Sequence, residues 1–182
     1  MVDLLKQDYD VEVEWRPFYL NPNTPPEGME LPDYIKRGRS NGSEQRLIDM
    51  ANGYALPFVP VDRILNTRLA HEATQYANQH GQAAAFHKVV FRKVYGEGQD
   101  ISTWNVLRSA ADEVGLDGEH MQQAVESGMY TQEVAEQVQQ AYAIGVSGVP
   151  TYVINQRYAL VGAQPHQAFK NALAQILAKK DE

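Results

Sequence analysis

The sequence predicts an α/β fold in which a sheet region is split by a large helical insertion. Three observations carry this. A short alternating segment, Val11-Glu12-Val13-Glu14-Trp15, lies near the start; helical periodicity dominates from Ser43 to Ile144; two strand-like runs and an amphipathic helix close the chain. One strand at one end and a hairpin with a helix at the other make a stable sheet only if the helical block is inserted into a single α/β domain.

Taken in order, Val11 to Trp15 alternates apolar and polar side chains, the period of a half-buried edge strand. Next comes Pro17-Phe18-Tyr19-Leu20-Asn21-Pro22-Asn23-Thr24-Pro25-Pro26-Glu27-Gly28. Its prolines remove backbone donors and forbid helix and central strand alike, so this is a surface loop. Ile64, Leu65, Leu69, Ala73, Tyr76 and Ala77 mark a helical face ending at Gly81; Phe86, Val89, Val90 and Val94 mark another ending at Gly96. Ser102 is the expected N-cap of a helix burying Trp104, Leu107, Ala111 and Val114, with Gly115 just past its end. Two more helices are expected near Asp117 to Ser127 and Thr131 to Ile144. Tyr152 to Ile154 and Tyr158 to Val161 read as a hairpin about Asn155-Gln156-Arg157. Pro165 opens a last helix burying Phe169, Leu173, Ile176 and Leu177.

Composition sets limits on function. Of 182 residues, 43% are hydrophobic and 21% charged, and no apolar run approaches the ~18 residues that would span a bilayer. The start, Met1-Val2-Asp3-Leu4-Leu5-Lys6, lacks the features of a secretory signal, so a cytoplasmic location is expected. Sixteen Lys and Arg against 23 Asp and Glu give a net charge of -7, which argues against a nucleic-acid partner. The basic cluster Lys36-Arg37-Arg39 reads as a solvated loop. No cysteine is present. A chain this long buries roughly 70% of its unfolded surface, so folding needs no disulfide or metal staple.

Several separated motifs occur in a telling order: Val13-Glu14-Trp15-Arg16-Pro17-Phe18, Asn66-Thr67-Arg68-Leu69-Ala70-His71, Gly145-Val146-Ser147-Gly148-Val149-Pro150 and Gly162-Ala163-Gln164. Together they resemble the FrnE-like branch of the DsbA family, from about Val11 to Leu177. The resemblance implies a thioredoxin fold with an inserted helical domain. On that reading the chain is an incomplete thioredoxin-like sheet with a large DsbA-like helical insertion. Residues 1–28 and 145–182 form the thioredoxin-like part, and residues 29–144 the inserted domain.

The resemblance also implies a disulfide oxidoreductase, a protein whose chemistry needs a thiolate. Family members begin with a central strand followed by a Cys-x-x-Cys that opens the first helix. Here the chain is expected to start inside that helix, at Val2-Asp3-Leu4-Leu5, so both cysteines would precede Met1. As given, the chain is expected to be redox-inactive. A missing central strand would leave two sheet edges exposed, and a homodimer is the expected remedy. The resemblance further implies a cis bond before Pro150, with the backbone of Val149 pairing an extended substrate and Thr151 beside it. The expected ligand is thus an extended polypeptide or a small thiol compound, with no cofactor.

Other polar residues carry less. His71-Glu72-Ala73-Thr74-Gln75 narrowly misses a zinc motif because Gln75 replaces the second ligand, so no metal is expected and His71 is read as a helix-capping or pocket-wall residue. His80, His87, His120 and His166 share no spacing and are read as surface residues, Trp15 and Trp104 as core. Gly96-Glu97-Gly98 lacks the rest of a dinucleotide loop, and Asn41-Gly42-Ser43 is a glycosylation sequon without meaning in a cytoplasmic protein. A competing resemblance is to kappa-class glutathione transferases and hydroxychromene-carboxylate isomerases, which share this architecture and take their sulfur from glutathione. There the turn matching Gly162-Ala163-Gln164 carries Ser-Asp-like residues, from which Ala163 and Gln164 depart. A redox-dead peptide-binding or chaperone-like module is the third reading.

Overall fold

Helices and two small two-stranded sheets make up the protein, as a computed structural model describes it over residues 2–178. The chain divides into two compact units, Met1–Leu20 with Val138–Glu182, and Asn21–Gln137. The sequence placed the joins after residues 28 and 144. The proline-rich loop is tied into the helical unit: Asn66 Nδ2 donates to the Thr24 carbonyl at 2.7 Å, and Arg63 donates to that of Glu27.

In the first unit, α1 (Val2–Asp8) meets the last helix, α9 (His166–Ala178), through Leu5, Phe169 and Leu173. Lys170 Nζ lies 3.1 Å and His166 Nε2 3.5 Å from an Asp8 oxygen. Against α9 packs the antiparallel hairpin of β3 (Thr151–Ile154) and β4 (Tyr158–Val161). Side chains alternate across a strand, so Tyr152, Ile154 and Leu160 pack against this core, the Tyr152 ring edge-on to Phe169 at 4.7 Å. The hairpin turn is the expected one. Leu177, expected to be buried, is 50% exposed because it flanks the stripe of Phe169, Leu173 and Ile176.

The expected first strand does not form. Val11 to Trp15 belongs to no ladder, and Trp15, expected in the core, is 37% exposed. Alternation tells which way side chains would point, but a strand exists only where a partner completes the ladder, and none of the described strands lies alongside. Instead the next residues clip onto the end of α8 (Thr131–Ala143): Arg16 Nη1 donates to Gln140 Oε1 at 3.0 Å, Tyr142 Oη donates to the Tyr19 carbonyl at 2.8 Å, and the Phe18 and Tyr142 rings meet edge-on.

The second unit holds β1 (Met29–Glu30) paired with β2 (Arg63–Ile64), a bridge too short to be visible as periodicity, and most of the helices. Gly28 enters this bridge at φ 75°, and a Cβ there would lie 2.5 Å from the Ile64 carbonyl oxygen. Helices α2 (Asp33–Ser40) and α3 (Ser43–Gly53) pair with one another. The core is built by α4 (Arg68–Gln79), α5 (Ala83–Phe91), α6 (Trp104–Glu113) and α7 (Gly118–Glu126), which bury Ala73, Phe86, Leu107 and Met121. Trp104 is half-buried against it.

After α5 the chain widens into a π-helical turn, Arg92–Gly96, which carries the helical pattern to the expected stop. Buried Lys93 reaches Ser109 at 3.1 Å and Glu113 at 2.6 Å. That hydrogen bond holds the Glu113 carboxyl below the usual carboxylate range. Ser102 is not the cap expected: Thr103 takes the N-cap position of α6, and the Ser102 hydroxyl is spent on Asp100 Oδ1 at 2.6 Å. Asp117 does cap α7, accepting from the His120 backbone at 2.9 Å.

Candidate functional site

The loop between α8 and β3 is built by chain reversal. Gly145, at φ 82°, stops α8 by letting its own N–H bond to Tyr142 and that of Val146 to Ala141, a wrap favoured by glycine. The chain then runs through Ser147, Gly148 and Val149 into a cis peptide bond at Val149-Pro150. Two bonds pin the far side: Thr151 Oγ1 donates to the Gly148 carbonyl at 2.6 Å, and Gly162 N donates to that of Pro150 at 2.8 Å. None of these anchors uses the backbone of Val149, whose residue is 51% exposed. Val149, Pro150 and Thr151 are thus adjacent on an exposed, internally braced loop. An extended chain could align with it and exchange backbone hydrogen bonds.

The neighbouring turn follows from the same bracing. Gly162, at φ 85°, carries the chain out of β4. Gln164 then closes onto its own turn, Nε2 donating to the Val161 carbonyl at 2.9 Å, so its amide is used locally.

In the helical unit, the Asn66 to His71 segment opens α4. Asn66 Oδ1 accepts from the Arg68 backbone at 3.0 Å, while the His71 N–H makes the first helical bond, to Thr67. His71 therefore lies inside the first turn; the residue before α4 is Thr67, which makes no side-chain cap bond. The buried polar residue here is Glu72, 1% exposed, which accepts from Arg68 Nη1 at 2.9 Å and Thr131 Oγ1 at 3.3 Å. One turn on, buried Gln75 donates to Gln137 Oε1 at 3.0 Å. The near-zinc spacing of the sequence thus belongs to a buried polar seam.

Sequence spacing also hid a cluster around Tyr76. His120 Nδ1 lies 2.9 Å from the Tyr76 hydroxyl, and the His80 ring stacks on the Tyr76 ring at 4.2 Å. Burial, with Asp117 nearby, pushes the Tyr76 hydroxyl pKa up. Residues 44 apart give no periodic signal, so only the packing of α4 against α7 brings them together.

Similarity to known proteins fits this geometry. The description of a DSBA-like thioredoxin domain matches residues 1–174. This chain belongs to that family. A relative from Bacillus subtilis (strain 168), the uncharacterized protein YwbO, is 30% identical over 172 residues, covering 94% of this chain and 85% of its own length. A 2-hydroxychromene-2-carboxylate isomerase of Sphingobium xenophagum is 33% identical over 85 residues, 47% of this chain and 44% of the isomerase. Among solved structures, the probable DsbA oxidoreductase SCO1869 from Streptomyces coelicolor superposes with a TM-score of 0.79 at 24% identity, over 90% of this chain and 74% of that one. A 2-hydroxychromene-2-carboxylate isomerase does so with a TM-score of 0.79 at 21% identity, over 99% and 88%. At these identities the structures establish a shared fold: a DsbA-like thioredoxin fold with small sheets and a helical insertion.

Proposed function

We propose that this chain serves thiol-disulfide chemistry in the manner of the FrnE-like DsbA proteins, as the part that holds an extended polypeptide, and that its own 182 residues turn over no disulfide. The observation that carries the reading is the braced loop at Val149, Pro150 and Thr151, which leaves the Val149 backbone outside its anchors. Residues without cysteine offer no thiolate to attack a disulfide. The expected setting is the cytoplasm. The purified chain should neither reduce insulin disulfides nor oxidise a reduced peptide above background. Added to labelled protein, an extended peptide should shift the amide resonances of Val149 and Thr151 ahead of all others. Cysteine-independent turnover, or peptide binding that leaves these two amides unmoved, would overturn the reading.

A second reading is glutathione-dependent isomerisation or transfer, favoured by the 33% identity to the isomerase over part of its length. Against it stands the turn at Gly162, where Ala163 offers no polar group and the Gln164 amide is engaged with Val161. Calorimetric titration with glutathione separates the two: saturable binding that moves Gln164 supports the isomerase reading, and no heat supports the first.

A further inference from the structure

Apart from Thr151, the face of the β3–β4 hairpin turned away from α9 has no role in the reading above. By register, Thr151 opposes Val161 and Val153 opposes Ala159, so these four side chains share one face. They should be covered if the face were only structural, yet Val153 is 46% and Val161 59% exposed, and Ile144 at the end of α8 is 66% exposed. Together they line a groove of about 170 Å³.

Its charge is as unusual as its exposure. The chain has 23 acidic residues, and none of them lines this groove; its single charged lining residue is Arg157. The Arg157 guanidinium lies over the Tyr158 ring at 5.6 Å, and among the described residues it has no carboxylate partner. An arginine fork matches one carboxylate, giving two parallel charge-assisted bonds. One cation without a second suits a monoanion better than a phosphate. Val153, Ala159 and Val161 give the groove an aliphatic stretch, beside the polar Ser147, Thr151 and Gln156.

We propose that this groove binds a short-chain aliphatic carboxylate, with Arg157 holding the head and Val153, Ala159 and Val161 the chain. The inference uses the sheet face and not the Val149 backbone, and shares only Thr151 with the peptide-docking reading.

The test is titration of the full chain with octanoate, followed by amide and methyl resonances. Saturable shifts are expected at Val153, Ala159 and Val161, and not at Phe169 or Leu173 on the opposite face. Octan-1-ol, equal in length and uncharged, should bind at least tenfold more weakly. Arg157→Gln should weaken octanoate tenfold or more and leave octanol unchanged; Arg157 is exposed at a turn, so this variant should fold. Val153→Ser should weaken both ligands. Equal affinity for octanoate and octanol, an Arg157→Gln protein that still binds octanoate normally, or shifts confined to the α9 face would overturn the proposal.

Discussion

Arg68 and Glu72 form an ion pair whose two ends sit in different surroundings: the guanidinium side chain is 53% exposed and the carboxylate side chain 1%. Deleting the two partners should therefore have unequal costs. Arg68→Ala strands a buried charge with only Thr131 to solvate it, and should cost on the order of 2 kcal/mol, below the ~3 to 5 of a fully buried pair. Glu72→Leu removes the charge itself and exposes nothing new, so it should fall within about 1 kcal/mol of the parent. Urea unfolding of both variants checks the order. His87 gives a pH-dependent counterpart. Half-buried and stacked on Phe91 at 4.3 Å, its imidazole is pulled down to about 4 by burial. The unfolded chain, with a value near ~6.5, then binds the proton more readily, so His87's contribution is full above about pH 6.5 and is lost as pH falls towards 4. Allowing for solvent screening, the loss is about 1 to 2 kcal/mol. His87→Phe keeps the stacking, and its stability should fall less between pH 7 and pH 4.5 than that of the parent. At this scale the sequence pointed to Val149, Pro150 and Thr151 through motif resemblance. It missed Glu72 and the Tyr76 cluster because a buried carboxylate and a long-range imidazole contact leave no local pattern.

The elements themselves were legible where the pattern was local. The hairpin, the α9 stripe and the α4 stripe from Leu69 onward emerged from local spacing, whereas Ile64, read as part of the α4 face, lies in β2 and Leu65 precedes the helix. Val11 to Trp15 failed because strand formation depends on a partner remote in sequence. Ser102 failed because Asp100, two residues back, competed for its hydroxyl. The hairpin turn bears on stability. Asn155 at φ 51° and Gln156 at φ 56° are both left-handed, as a type I′ turn requires, and the Arg157 N–H bonds back to Ile154. Asparagine tolerates this region, whereas glutamine is strained there by up to ~1 to 2 kcal/mol. Gln156→Gly relieves the strain and gives back part of the gain as unfolded-chain entropy, so a net stabilisation of about 0.5 to 1 kcal/mol is expected. A rise in Tm without change in the far-ultraviolet spectrum would bear this out; a fall would mean that Gln156 is held by contacts rather than strained.

For the whole molecule, the first unit poses a question of completion. Its one ladder among the described residues is the four-residue β3–β4 pair, with β4 as β3's sole strand neighbour. A two-stranded ribbon is marginal by itself, and an open strand edge recruits another strand. The same unit contains Val11 to Trp15, with Val13 and Trp15 each 37% exposed and no ladder of its own. We propose that two copies complete one another, the Val11 to Trp15 segment of each bringing its alternating side chains against the partner about a two-fold axis. Such an interface is isologous, so one substitution acts twice. Light scattering across a concentration series should give a dimer mass that falls towards the monomer on dilution. Trp15→Glu should shift that midpoint at least tenfold upward while the circular dichroism of the helical unit stays the same. A monomer at every concentration, with slow hydrogen exchange at the β3 amides, would show that the edge is protected from within the chain, and would remove the reason for a second copy.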